Sequence, residues 1–167
     1  MKLFTAKLMD KEALRDQILT RLKSDYALLL QAAKTAHAAA IHEESIPDNK
    51  YATLGLEASY LAQGQANRAQ EIQQAIQEYQ QLSLPQFSAE SVIRLTAVVQ
   101  LEDDAGKMRL VFLGPAAGGL VLELDGVEIM IITPVSPLGQ ELLGRQVGDQ
   151  IELKSNGIRE YEIVSIC

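Results

Sequence analysis

The chain has 167 residues, 47% apolar and 22% charged, a composition that suits one ordinary domain or two small ones and excludes a disordered chain. Its 22 acidic residues outnumber 15 basic ones, and the net charge of -7 argues against direct binding of nucleic-acid phosphates, which requires a basic face. The one cysteine, Cys167, cannot form an internal disulfide, which fits a reduced, cytoplasmic setting; no stretch has the long apolar core of a leader or the length of a membrane span.

Asp10, followed by Ala13 and Leu14, predicts the N-cap of a first helix. Along it Leu19, Leu22, Tyr26, Leu29, Ala33, Ala36 and Ala40 recur in alternating steps of three and four, which is a heptad seam. Pro47 ends that helix, and Asp48 or Asn49 caps the next. The second seam runs through Tyr51, Leu54, Ala58 and Leu61, weakens at Gly64 and Gln65, and resumes through Ala69, Ile72, Ile76 and Tyr79. Two helices of similar length joined by a short turn fold back as an antiparallel hairpin, roughly 45 Å long at 1.5 Å per residue. The stretch AAKTAHAAA, residues 32–40, puts almost no bulk into the seam, so the hairpin is expected to be slim there and weakly stabilised by burial. Such slenderness suits insertion into something narrow.

After Pro85 the period becomes two. Residues 92–102, 107–114, 120–124 and 127–133 read as strands, with Asp125-Gly126 as a hairpin turn. Residues 136–144 read as a short helix with Ser136 as N-cap, Pro137 at its first position and Gly144 as its stop. Residues 149–154 and 158–166 read as a last hairpin in which Ile151, Leu153, Tyr161 and Ile163 face inward. The fold class is therefore α+β: an antiparallel helical coiled-coil hairpin over 1–82, a linker over 83–90, and a small antiparallel sheet domain with one short helix over 91–167. Residues 1–85 are close to neutral, whereas 86–167 carry a net charge of -6 and would favour a basic partner surface.

Few residues suggest catalysis. His37 and His42 are five apart and do not stack on one helix face, and no other histidine exists to complete a metal site. GPAAGG, residues 114–119, lacks the lysine and hydroxyl of a phosphate loop and leads into a strand, so it reads as a turn. The acids of HEESIPDNKY, residues 42–51, are different: Glu43, Glu44 and Asp48 stand at the hairpin turn with no basic neighbour before Lys50. Solvation and helix capping account for such residues in one reading, and a cap at Asp48 is worth about 1 kcal/mol. In the other, the acids are carried to a place where they are used.

The run SPLGQELLGRQVGDQIELKSNGIREYEIVSI, behind a helical hairpin and a small sheet, resembles the bacterial Gre transcript-cleavage factors. Ser136-Pro137-Leu138-Gly139, Leu142-Leu143-Gly144, Val147-Gly148-Asp149 and Tyr161-Glu162-Ile163 match that family's terminal motif in order and spacing. The resemblance implies that the sheet domain is FKBP-like and docks on a coiled coil at the rim of the secondary channel of bacterial RNA polymerase, with Ser136, Pro137 and Leu138 near the docking surface. It implies that the hairpin enters the channel and that tip acids, Glu44 and Asp48 with Glu43 beside them, help hold a Mg²⁺ ion in the polymerase active site. The protein would then have no cofactor of its own, would stimulate cleavage of backtracked RNA by the polymerase without catalysing alone, and would meet nucleic acid only through polymerase.

Mg²⁺ favours carboxylate oxygens and keeps several waters, so one or two protein carboxylates suffice. The tip nevertheless departs from the family pattern, approximately Gly-Asp-Leu-x-Glu-Asn-Ala-Glu-Tyr. Counting back from Tyr51 puts Glu44 at the first acid, Pro47 at the second and Lys50 where the pattern has Glu; Asp48 replaces the second acid only through a shifted turn. Polymerase docking is thus better supported than cleavage. A non-cleaving channel-binding regulator and a coiled-coil adaptor that never meets polymerase stand as alternatives.

Overall fold

The computed structural model describes residues 9–44, 49–154 and 157–167. They form two compact units, one comprising Leu19–Gln80 and the other comprising the chain up to Ile18 together with Gln81–Cys167. The helical unit holds most of α1 (Lys11–Glu44) and all of α2 (Asn49–Gln80). The second unit holds β1 (Val98–Asp103), β2 (Met108–Leu113), β3 (Val121–Leu124), β4 (Val127–Ile132), α3 (Pro137–Leu142), β5 (Gln150–Lys154) and β6 (Ile158–Ile166).

Asp10 caps α1 as its sequence position predicts: its Oδ1 accepts from the Ala13 amide at 3.0 Å. In the helical unit, Leu22, Ala33 and Ala40 are buried on α1, and Ala62, Ala69, Ala75 and Tyr79 on α2. The α1 seam keeps the predicted phase. The α2 seam does not: Leu61, expected inside, is 57% exposed, and Ala62 takes the inward position. The cause is a change of heptad phase at Gly64 and Gln65, so that the steps through 51, 54, 58 and 61 do not continue those through 69, 72, 76 and 79.

The sheet has the order β3-β4-β2-β1-β6-β5 and is antiparallel except between β2 and β4, which run parallel. Antiparallel pairing dominates as expected, and this pair is its exception. β3 takes the edge and turns back through Asp125-Gly126, both at positive φ, so β4 enters between β3 and β2 in the direction of β2. One face of the sheet buries Val99, Leu101, Val111, Leu113, Ile132 and Ile163 together with Leu142 of α3. The other face buries Val98, Phe112, Ile129 and Ile131 completely. Central strands covered on both sides need apolar residues at every position, which is why LVFL and IMII read as continuous runs.

Residues 92–97, read from sequence as the start of the first strand, are not in it. Ile93 bonds instead to the backbone of Gly144 and Arg145, and the Ala97 amide closes a turn on the Arg94 carbonyl at 3.0 Å. Thr96 sits in that turn at φ 73°, an uncommon conformation for a β-branched residue, and its buried Oγ1 has no hydrogen-bond partner. The segment 83–90 holds no helix or strand, yet Phe87 is built into the core. No helix among the described residues is long and apolar enough to cross a membrane.

Lys11, at the first position of α1, is 4% exposed. Its Nζ donates to the Pro85 carbonyl at 2.8 Å and lies 4.3 Å from the centre of the Phe87 ring. Burial lowers its pKa from 10.5 to about 8, against an opposing pull from the Cys167 side chain. Since the folded value is the lower one, the unfolded chain binds more protons between about pH 8 and 10.5. The stability linked to Lys11 therefore rises with pH through that window, by roughly 1 kcal/mol per pH unit. Cys167, whose pKa burial raises, works in the opposite sense, so the effect is read as a difference. In chemical denaturation from pH 7 to 10.5, the wild type is expected to gain stability relative to Lys11→Met, and equal slopes would disprove the linkage.

Candidate functional site

Two regions carry the residues singled out by sequence: the turn end of the hairpin and the corner around α3. At the turn end, α1 runs through Glu43 and Glu44, and α2 begins at Asn49. Asp48 and the side chains of Glu43 and Glu44 lie outside the described residues. The backbone alone still bears on those two glutamates. They occupy the last turn of α1, where the helix dipole is negative and carboxylates are unfavourable by about 0.3–1 kcal/mol each. Helix stability therefore does not explain their presence. Behind them Ile41 is 56% exposed and His42 is exposed, while Ala40 points inward.

The α3 corner is built on the Thr133 carbonyl. It accepts from the Ser136 amide at 3.0 Å and from Ser136 Oγ at 2.7 Å. Ser136, at φ -70° and ψ 152°, accepts in turn from the Gly139 amide at 3.0 Å and so caps α3, with Pro137 at the first helical position. Gly139 lies so close to that carbonyl that a Cβ atom there would fall far inside contact distance of Thr133 O. The helix can approach the loop only because residue 139 has no side chain.

This corner divides the three residues expected at a docking surface. The Ser136 hydroxyl is taken up by the cap, and Leu138 is buried in the core beside Leu142. Pro137 is exposed, and next to it Val135 is 80% exposed. Sequence reasoning missed Val135, because a lone valine between Pro134 and Ser136 belongs to no periodic pattern. Pro137 also borders a groove of about 510 Å³ between α3 and β5. Glu141 and Arg145 flank it on one side, Glu152 and Lys154 on the other. The pairs Arg145–Glu141 at 3.9 Å and Lys154–Glu152 at 4.0 Å are exposed and contribute little. β5 is an edge strand, so one of its backbone sides has no strand partner.

The acids of the sheet unit are not scattered. Glu102 stands opposite Glu162 across β1 and β6, and Glu152 opposite Glu160 across β5 and β6. Like charges directly opposite in a ladder oppose pairing. Glu102, Asp103, Asp104, Glu160 and Glu162 line one shallow groove, but no group of three or more His, Cys, Asp or Glu among the described residues is placed to hold a metal ion. The segment 114–119 forms a turn, with Ala117 and Gly119 at positive φ and the Gly119 amide bonded to Ile131 O at 2.8 Å.

Residues 88–167 match the family model of the C-terminal part of the GreA/GreB transcription elongation factors. The chain is 33% identical over 155 residues to the transcription elongation factor GreA of Desulfovibrio desulfuricans, a match covering 90% of this chain and 86% of that protein. It is 30% identical over 153 residues to GreA of Nitratidesulfovibrio vulgaris, covering 89% and 86%. Among solved structures, Gfh1 of Thermus aquaticus aligns at 28% identity over 90% of this chain and 92% of that one, with a TM-score of 0.39.

The α3 corner is expected to be a structural joint before it is anything else. Ser136→Ala should lower stability in urea unfolding by about 1 kcal/mol. Gly139→Ala should cost about 3 kcal/mol or more, because the helix must shift off the Thr133 carbonyl. Near-neutral values for both would show that the corner does not depend on this packing.

Proposed function

The chain belongs to the GreA/GreB family of transcription elongation factors, and from that premise we propose that it binds bacterial RNA polymerase, with its sheet unit at the rim of the secondary channel and its hairpin inside. The observation that carries this reading is the extent of the likeness. Identity of 33% runs over 155 residues, which takes in the hairpin as well as the sheet unit. A protein that shared only the docking domain would not match through its helices.

In this reading Pro137 and Val135 meet the partner, while Ser136 and Leu138 hold them in place by capping and burial. Glu43, Glu44 and Asp48 are presented at the catalytic centre. A set of carboxylates with no thiolate is a hard-oxygen donor set of the kind Mg²⁺ takes, with water and RNA phosphate completing its coordination. Glu44 and Asp48, with Glu43 beside them, would help hold such an ion, and the chemistry it would supply when bound is activation of water for RNA cleavage. The chain itself contributes carboxylate charge and position, so it stimulates the polymerase and is not an enzyme alone.

A second reading rests on Pro47. It occupies the place of the family's second acid when the turn is aligned on Tyr51, and it cannot ligate a cation. A factor with Glu44 alone would occupy the channel without supporting cleavage and act as a regulator.

Stalled, backtracked elongation complexes separate the readings. Adding the protein is expected to produce shortened transcripts, and Glu44→Ala or Asp48→Ala should return cleavage to the level seen without it while leaving polymerase binding within about twofold, since tip acids supply little of the docking energy. Binding without shortening would favour the regulator. Failure to bind purified polymerase would leave only an adaptor role.

A further inference from the structure

We infer that the hairpin contains a soft joint at the level of Ala33–His37 on α1 and Ala62–Ala66 on α2, and that the part between this joint and the turn opens as a unit of its own. The inference rests on packing within the helical unit and does not depend on the proposed function.

Four independent features coincide at or beyond that level. First, Ala33, Ala62 and Ala66 leave a groove of about 380 Å³ where the helices face one another, bordered by His37. Alanine on both sides supplies few dispersion contacts to hold the pair. Second, Gly64 stands in the interior of α2, yet nothing lies within 4 Å of the point a Cβ atom would occupy. No close approach requires glycine there, so its helix-weakening backbone freedom is uncompensated. Third, Gln65 Oε1 is buried with no hydrogen-bond partner, which leaves its desolvation unrepaid. Fourth, among the described residues of the stretch nearer the turn, large apolar side chains face outward: Ile41 is 56% exposed, Leu56 54%, Tyr60 69% and Leu61 57%.

The opposite end of the same unit is built differently. Leu22 is 5% exposed, Ala75 7% and Tyr79 0%. Among the described residues, the large side chains buried in this unit, Leu22 and Tyr79, lie on that side of Gly64, and only alanines are buried beyond it. The two stretches thus draw on unlike amounts of buried apolar surface, and local opening free energies follow that difference. Uniform fraying from a helix end would weaken protection gradually. A joint weakens it in one step, and the step belongs between Gln65 and Ala69.

Amide hydrogen exchange of the full-length chain, resolved by NMR, tests this. Amides of residues 56–63 and 36–42 are expected to share one low level of protection, with a step to a higher level over 69–80. Gly64→Ala should raise the protection of the first group by about fivefold, the effect of replacing an uncompensated helical glycine, and leave residues 72–80 unchanged. A smooth gradient without a step would overturn the inference. So would a Gly64→Ala effect that is equal throughout the hairpin, which means one cooperative unit, or absent throughout.

Discussion

Two helices joined through alanine can lie close together, but they hold one another weakly, and this single trade sets the character of the helical unit. Ala33, Ala40, Ala62 and Ala69 occupy buried seam positions where leucine or isoleucine would be usual. Each substitution of a large residue by alanine removes roughly 1–2 kcal/mol of burial while narrowing the pair. A hairpin stabilised by bulk would be thick throughout. Among the described residues, this one buries large side chains near Leu22 and Tyr79 and only alanines nearer the turn.

The sheet unit solves the opposite problem. Its central strands are covered on both faces, and the price in sequence is the loss of alternation in LVFL and IMII. Rigid packing of this kind can hold a surface loop in one conformation. The loop before α3 is held in that way: the Thr133 carbonyl takes two donors from Ser136, the Ser136 hydroxyl caps the helix, and Gly139 allows the approach. Val135 and Pro137 are thereby presented outward by residues that are themselves fully engaged.

Charge follows a similar division. Residues 1–85 are close to neutral in sum, while the sheet unit sets Glu102 against Glu162 and Glu152 against Glu160. Both arrangements oppose local stability: carboxylates at the negative end of α1, and like charges paired across strands. Residues that weaken their own elements are more naturally explained by what lies outside the chain than by the fold.

Element types were legible in the sequence because period and turn chemistry act over a few residues. Asp10 and Ser136 cap the helices they precede, Asp125-Gly126 turns a hairpin, and the α1 seam keeps its phase. The candidate site was legible only as a list of residues. Sequence alone determined that acids gather at the hairpin turn and that Ser136, Pro137 and Leu138 form a motif. Tertiary structure decided that Leu61 faces outward, that β1 starts at Val98, that β2 and β4 run parallel, and that Leu138 is core while Val135 is exposed. The physical reason is range: a cap or a turn is settled among neighbours in the chain, whereas strand pairing, seam phase past a glycine and burial depend on residues far away in sequence.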